Sequence, residues 1–98
     1  SETIYKKNKT IESKYNLGDT YYKQKKYDKA IQTYEKIKFE ENSFKEYERL
    51  HNLGNSYALS KNKQGLEKAV GQYKKALEII PNKETKENLE KVKKLIEK

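Results

Sequence analysis

Apolar residues recur three and four positions apart along much of this chain, and the runs are bounded by residues that start or stop helices. The clearest run is Phe44, Tyr47, Leu50, Leu53 and Tyr57. Ser43 precedes it and Glu46 follows three residues later, a capping-box spacing in which a hydroxyl and a carboxylate satisfy helix-end amides reciprocally. A helix over 44–60 is predicted. Leu89, Val92 and Ile96 form a second stripe behind Asn82, with lysines gathered at its end where a helix dipole favours them, and predict a helix over 83–97. Weaker stripes place helices at 10–24, 27–40 and 66–80. Ile4 and Ile11 stand seven apart, a spacing that carries the first helix back through residues 1–10. The expected fold class is all-α, with about five helices.

The chain also repeats itself. Tyr15-Asn16-Leu17-Gly18-Asp19-Thr20-Tyr21 returns 36 residues later as His51-Asn52-Leu53-Gly54-Asn55-Ser56-Tyr57. Ala30-Ile31-Gln32-Thr33-Tyr34 returns 39 residues later as Ala69-Val70-Gly71-Gln72-Tyr73. Gly18 and Gly54 fall within helices, where glycine costs about 1 kcal/mol relative to alanine. Close approach of a second helix accounts for them, with Ala30 and Ala69 as the small residues opposite. Leu17, Tyr21, Leu53 and Tyr57 are expected to fill the space beside each crossing, and Tyr34 and Tyr73 to lie in the core.

With Ala76 and Pro81 added, these residues resemble the tetratricopeptide repeat, a helix-turn-helix unit of about 34 residues. The resemblance implies antiparallel hairpins stacked as a short right-handed solenoid in a single domain. Residues 1–10 would extend the first helix, 11–42 form one repeat, 43–81 a second, and 82–98 a capping helix with a polar outer face. The chain departs from the pattern at Lys14, where a large apolar residue is usual, and at Ile37, where a small one is. It also has three extra residues in the second interhelix turn, around Ser60 to Gly65, and a longer connection after the first hairpin, both of which cost little. The stretches 50–57 and 84–95 resemble repeat segments of bacterial Bat aerotolerance proteins, which would imply a periplasmic or envelope-associated scaffold in place of a cytoplasmic one.

Composition narrows the chemistry. The chain has 98 residues, 39% of them charged, and a net charge of +8. It has no cysteine, one histidine (His51) and two aspartates (Asp19 and Asp28), so it offers no thiolate, no zinc quartet and no triad with a nucleophile motif. No glycine-rich phosphate loop is present, and the glutamates scattered among lysines read as ion-pair partners on helix surfaces. An enzyme, a cofactor and a metal are therefore not expected. The positive charge suits phosphates, but Arg49 is the only arginine among 23 basic residues, and lysines interleaved with glutamates make nucleic acid the poorer partner. No apolar run approaches the roughly 18 residues of a membrane span. Beginning at Ser1 without Met, the sequence reads as a segment excised from a longer chain.

The family resemblance implies that the first helix of each hairpin lines an inner groove, which binds a peptide or helix of a partner protein. Helical spacing around the Leu-Gly anchors aims Glu12, Tyr15, Asn16, Asp19, Tyr22 and Lys23 inward from the first copy. Glu48, His51, Asn52, Asn55 and Leu59 follow from the second, and Lys86 and Lys93 would close one side. Asparagine amides can both donate and accept hydrogen bonds there, and Tyr15 and Tyr22 add amphipathic contact area. Chaperone-binding relatives grip a C-terminal carboxylate with lysine and asparagine from their first helices. Here Asn52 matches the central asparagine, but Tyr15 and Asp19 replace the lysine and asparagine, and an aspartate repels a carboxylate. Two other roles compete: a homo-oligomer formed through Ile4, Tyr5 and Ile11, and low-specificity nucleic-acid binding by the lysine surface.

Overall fold

Helices account for most of the computed structural model, which describes residues 2–98, with side chains from residue 10 onward. They are α1 (Glu2–Lys23), α2 (Tyr27–Glu35), α3 (Phe44–Leu59), α4 (Lys63–Ile79) and α5 (Lys83–Glu97). Each packs against the next in the chain, so α1 and α2 form one antiparallel hairpin, α3 and α4 a second, and α5 lies against α4. Consequently α1, α3 and α5 run in the same direction. No helix is long and apolar enough to cross a membrane.

The two glycines lie where the helices of each hairpin cross. A Cβ on Gly18 would sit 2.6 Å from Tyr34 Cε1, and one on Gly54 would sit 2.7 Å from Tyr73 Cε1. Each tyrosine ring thus occupies the space that any side chain on the facing helix would fill. Tyr34, Tyr73, Ala30 and Ala69 are all 1% exposed or less, so neither ring has room to retreat. Leu53 and Tyr57 are buried as expected.

Leu17 is not. It is 45% exposed, whereas its counterpart Leu53 is 2% exposed, because α3 packs against α2 of the preceding hairpin and, among the described residues, α1 has no such hairpin on its other side. Tyr21 is half-buried at the edge of the core, with the Lys29 ammonium 5.7 Å from its ring centroid. Lys14 is exposed and Ile37, just past the end of α2, is buried in the core that contains Tyr15.

The helix limits differ from those expected at two places, the end of α2 and the start of α4. The backbone of α1 is helical from Glu2, while the side chains of Ile4 and Tyr5 lie outside the described residues. The second helix stops at Glu35 instead of residue 40. Arg49 supplies the reason, since its Nη1 donates to the Tyr34 carbonyl (3.0 Å), while Glu46 Oε1 accepts from the Phe39 amide (3.0 Å). Those two side chains pair with each other through bonds of 2.8 and 2.6 Å, and together they fold residues 36–43 back over the hairpin. Ser43 Oγ accepts from the Glu46 amide (3.1 Å) as a helix cap, but the Glu46 carboxylate turns to Arg49, so the capping box is only half formed. Finally, α4 starts at Lys63 instead of 66 because Asn62 caps it, accepting from the Gly65 amide at 2.6 Å. The extra residues after Ser60 become helix. The turns before α2 and α4 carry Lys25 and Lys61 at the same left-handed φ of 62°.

Candidate functional site

The inner face is built by α1, α3 and α5, and phenols from the second helices reach through to it. Past Gly18, the Tyr34 hydroxyl donates to Asp19 Oδ1, and past Gly54, the Tyr73 hydroxyl donates to Asn55 Oδ1. The repeat therefore brings one polar contact to the same place twice. Asn55 Oδ1 also accepts from Asn88 Nδ2 at 3.2 Å, which ties α5 to α3. One turn earlier, Asn52 Nδ2 donates to the Tyr15 hydroxyl at 2.8 Å and ties α3 to α1. Among the described residues, no buried side-chain polar atom lacks a partner.

Tyr15 is the main correction to the expected groove. It is 5% exposed, packed edge-on to Phe39 (5.4 Å between ring centroids) and tilted against Tyr34 (5.6 Å). The folded-back connection covers its ring, leaving the hydroxyl as its contribution to the floor. Burial holds its phenol neutral well above the usual range, and the nearby Asp19 and Glu48 carboxylates add to that. Burial does the same for Tyr34, reinforced by its bond to Asp19. Tyr22 is half-buried against Tyr27 (5.7 Å), its phenol raised by burial and opposed by a hydrogen bond with Asn55. Glu12, Asn16 and Lys23 are exposed, and Asp19, Glu48, His51, Asn52 and Asn55 are half-buried.

His51 takes part in packing as much as in the surface. It stacks on Tyr47 (5.9 Å, 25°), and its Nδ1 lies 2.8 Å from Thr85 Oγ1, which in turn lies 2.6 Å from the Tyr47 hydroxyl. Tyr47 donating to Thr85, and Thr85 donating to a neutral imidazole, satisfies all three groups. Burial lowers the His51 pKa, and the neighbouring Glu84 carboxylate opposes that shift only in part.

Between Tyr22, Leu59 and Leu95 the inner face opens into a cleft of about 380 Å³, floored by Asn55, Tyr73 and Asn88 and bordered by Ala58, Val92, Glu84 and Lys91. Leu59 is 39% exposed and Leu95 is 50% exposed on its rim. The last helix contributes through Glu84, Asn88, Lys91 and Leu95, which share one helical face, and not through Lys86 and Lys93. Lys93 instead pairs with Glu90 at 3.6 Å. The signal for this face was present in the 36-residue offset: Glu12, Glu48 and Glu84 are successive copies, as are Asn16, Asn52 and Asn88, and Leu17, Leu53 and Leu89. In sequence register and in packing, α5 stands where the first helix of a third repeat would.

Residues 11–37 match the family model of the tetratricopeptide repeat. The first hairpin is a tetratricopeptide repeat. The match covers α2 and the part of α1 that packs on it, and the internal recurrence extends the same hairpin to α3 and α4. No curated protein matches the chain, and nothing in the comparison supports the narrower likeness to Bat proteins. Tetratricopeptide repeats generally mediate contacts between proteins and form a scaffold fold without catalytic machinery.

Proposed function

We propose that this repeat protein is a non-catalytic binding module that holds a peptide or helix of a partner protein against α1, α3 and α5. The observation that carries this reading is the cleft of about 380 Å³ between Tyr22, Leu59 and Leu95, whose amide floor is already fixed by the Asn55–Tyr73 and Asn55–Asn88 bonds. Exposed leucines on a preorganised polar floor suit a segment that brings apolar side chains and backbone together, since little ordering is needed on the module's side. With helices packed 8–10 Å apart, three of them span about 20 Å, enough for roughly six extended residues or four helical turns. So short a surface predicts micromolar affinity. On this reading residues 11–42 and 43–81 are the two repeats, and α5 both caps the second and completes the groove.

A capture experiment from the native host tests the assignment. Leu59→Glu and Leu95→Glu should each abolish recovery of a partner that the unmodified protein retains, while Lys75→Glu, an exposed change on α4, should leave it unaltered. Equal recovery by all four proteins contradicts the groove.

A further inference from the structure

The net charge of this protein has an address. Residues 23–29, 61–63 and 91–98 hold ten lysines against Asp28 and Glu97, which is the whole of the +8; the remaining 13 basic and 13 acidic residues cancel. These three stretches are the α1–α2 turn, the α3–α4 turn and the end of α5, and the hairpin topology places all three at one end of the molecule. Leu59 joins them to the groove, lining the cleft shared with Tyr22, Lys91 and Leu95 and also the recess formed by Lys25, Lys26 and Lys29. Among the described residues, Lys93 is the only lysine of these stretches paired with a carboxylate.

Helix ends attract lysines for their own stability, but that accounts for little of this charge. Three helix C-termini and two N-termini meet at this end, and at about half a charge each they leave roughly −0.5 to offset +8. The opposite border of the groove carries the other sign, through the copies Glu12, Glu48 and Glu84. Along α3 and α5 the inner face therefore passes from carboxylates, through the Asn52 and Asn88 amides, to exposed leucines beside lysines, while on α1 the Asp19 carboxylate in the middle is held by the Tyr34 hydroxyl.

We infer that the partner segment is amphipathic and acidic on one edge, seating apolar side chains between Tyr22, Leu59 and Leu95 with its carboxylates along the lysine end. This rests on the groove reading above and adds the chemistry of the occupant. The Glu12, Glu48 and Glu84 border repels the same carboxylates, so only one lateral placement of the segment is favourable. Nucleic acid fits less well, because the single arginine is buried with Glu46 and the leucine rim has no counterpart in a phosphate backbone.

The test is a titration of the isotope-labelled protein, followed by amide chemical shifts, with a synthetic amphipathic peptide carrying leucines at i, i+4 and i+7 and glutamates along one edge. Versions with glutamine and with lysine in place of glutamate serve as probes of charge, and oligouridine as a probe of phosphate. The acidic peptide should shift Tyr22, Leu59 and Leu95 and bind about tenfold more tightly than the glutamine version, and raising the salt should erase most of that advantage. Lys25→Glu combined with Lys91→Glu should remove the same tenfold, with an otherwise unchanged spectrum showing that the variant is folded. Lys25→Gln with Lys91→Gln should give an intermediate loss. If the glutamine or lysine version binds in the cleft as tightly as the acidic one, the groove stands and the acidic edge is wrong. If the acidic peptide and oligouridine both perturb only the lysine turns and leave Leu59 and Leu95 unmoved, the docking proposal and the groove reading fail together.

Discussion

The two hairpins share their crossing but not their surroundings. In both, a glycine admits a tyrosine ring, and the tyrosine hydroxyl bonds a residue one position beyond that glycine: Asp19 in the first hairpin, Asn55 in the second. Around that common centre, equivalent positions diverge. Leu17 is exposed where Leu53 is buried, Lys14 is exposed where Leu50 is buried, and Tyr15 is enclosed where His51 is half-open. What a repeat residue does is therefore set by two layers. Contacts inside the hairpin are copied with the sequence; contacts to the neighbouring element depend on which element is there.

The largest test of this division is a matched pair of truncations. Leu53→Ala should cost about 2–5 kcal/mol in urea unfolding, whereas Leu17→Ala should stay within about 0.5 kcal/mol. Similar losses at both would mean that motif position, and not the neighbouring hairpin, determines the packing. At the crossing the hairpins should instead agree. Gly18→Ala and Gly54→Ala should each lose about 1–3 kcal/mol, because a methyl group placed 2.6 or 2.7 Å from a ring without room to move outweighs the gain of about 1 kcal/mol in helix propensity.

Tyr15 and His51 turn the same contrast into opposite pH dependences. Below about pH 6.5 the unfolded chain takes up a proton at His51 that the folded one, its pKa lowered by burial, resists. Stability should fall as the pH drops through that range, and His51→Asn should flatten the fall. Above about pH 10 the unfolded chain ionises tyrosines that the folded one keeps neutral; Tyr15 is one of them, and Tyr57 is pushed up to about 12 by burial and by Glu35. Stability should fall with rising pH there, less steeply in Tyr15→Phe. The smallest expected effect is shared by both hairpins: Lys25→Gly and Lys61→Gly should each add about 0.5–1 kcal/mol, since their φ of 62° strains any residue with a Cβ.

The crossings were legible in the sequence because every residue they need lies on a helical period: glycine, alanine and aromatic recur in register. The end of α2 was not, because it depends on Arg49 and Glu46, which reach the 36–43 connection from the next helix. Tyr15 was read as facing the groove for the same reason: a helical wheel gives the direction of its side chain but not the Ile37 and Phe39 segment that folds over it. On the inner face, Asn52, Asn55 and Leu59 were expected from their spacing. Asn88 and Leu95 were passed over although they lie 36 residues beyond Asn52 and Leu59, because the many lysines of α5 made it read as a cap whose contribution was Lys86 and Lys93.

The inner face as the site of partner contact is open to direct measurement by placing a photo-reactive phenylalanine derivative at Leu59 in one variant and at Lys75 in another, then irradiating each in host extract. A discrete adduct should form from Leu59, disappear when excess unmodified protein is added, and be missing from Lys75. An adduct from Lys75 with none from Leu59 would contradict the assignment and move the binding face to the second helices.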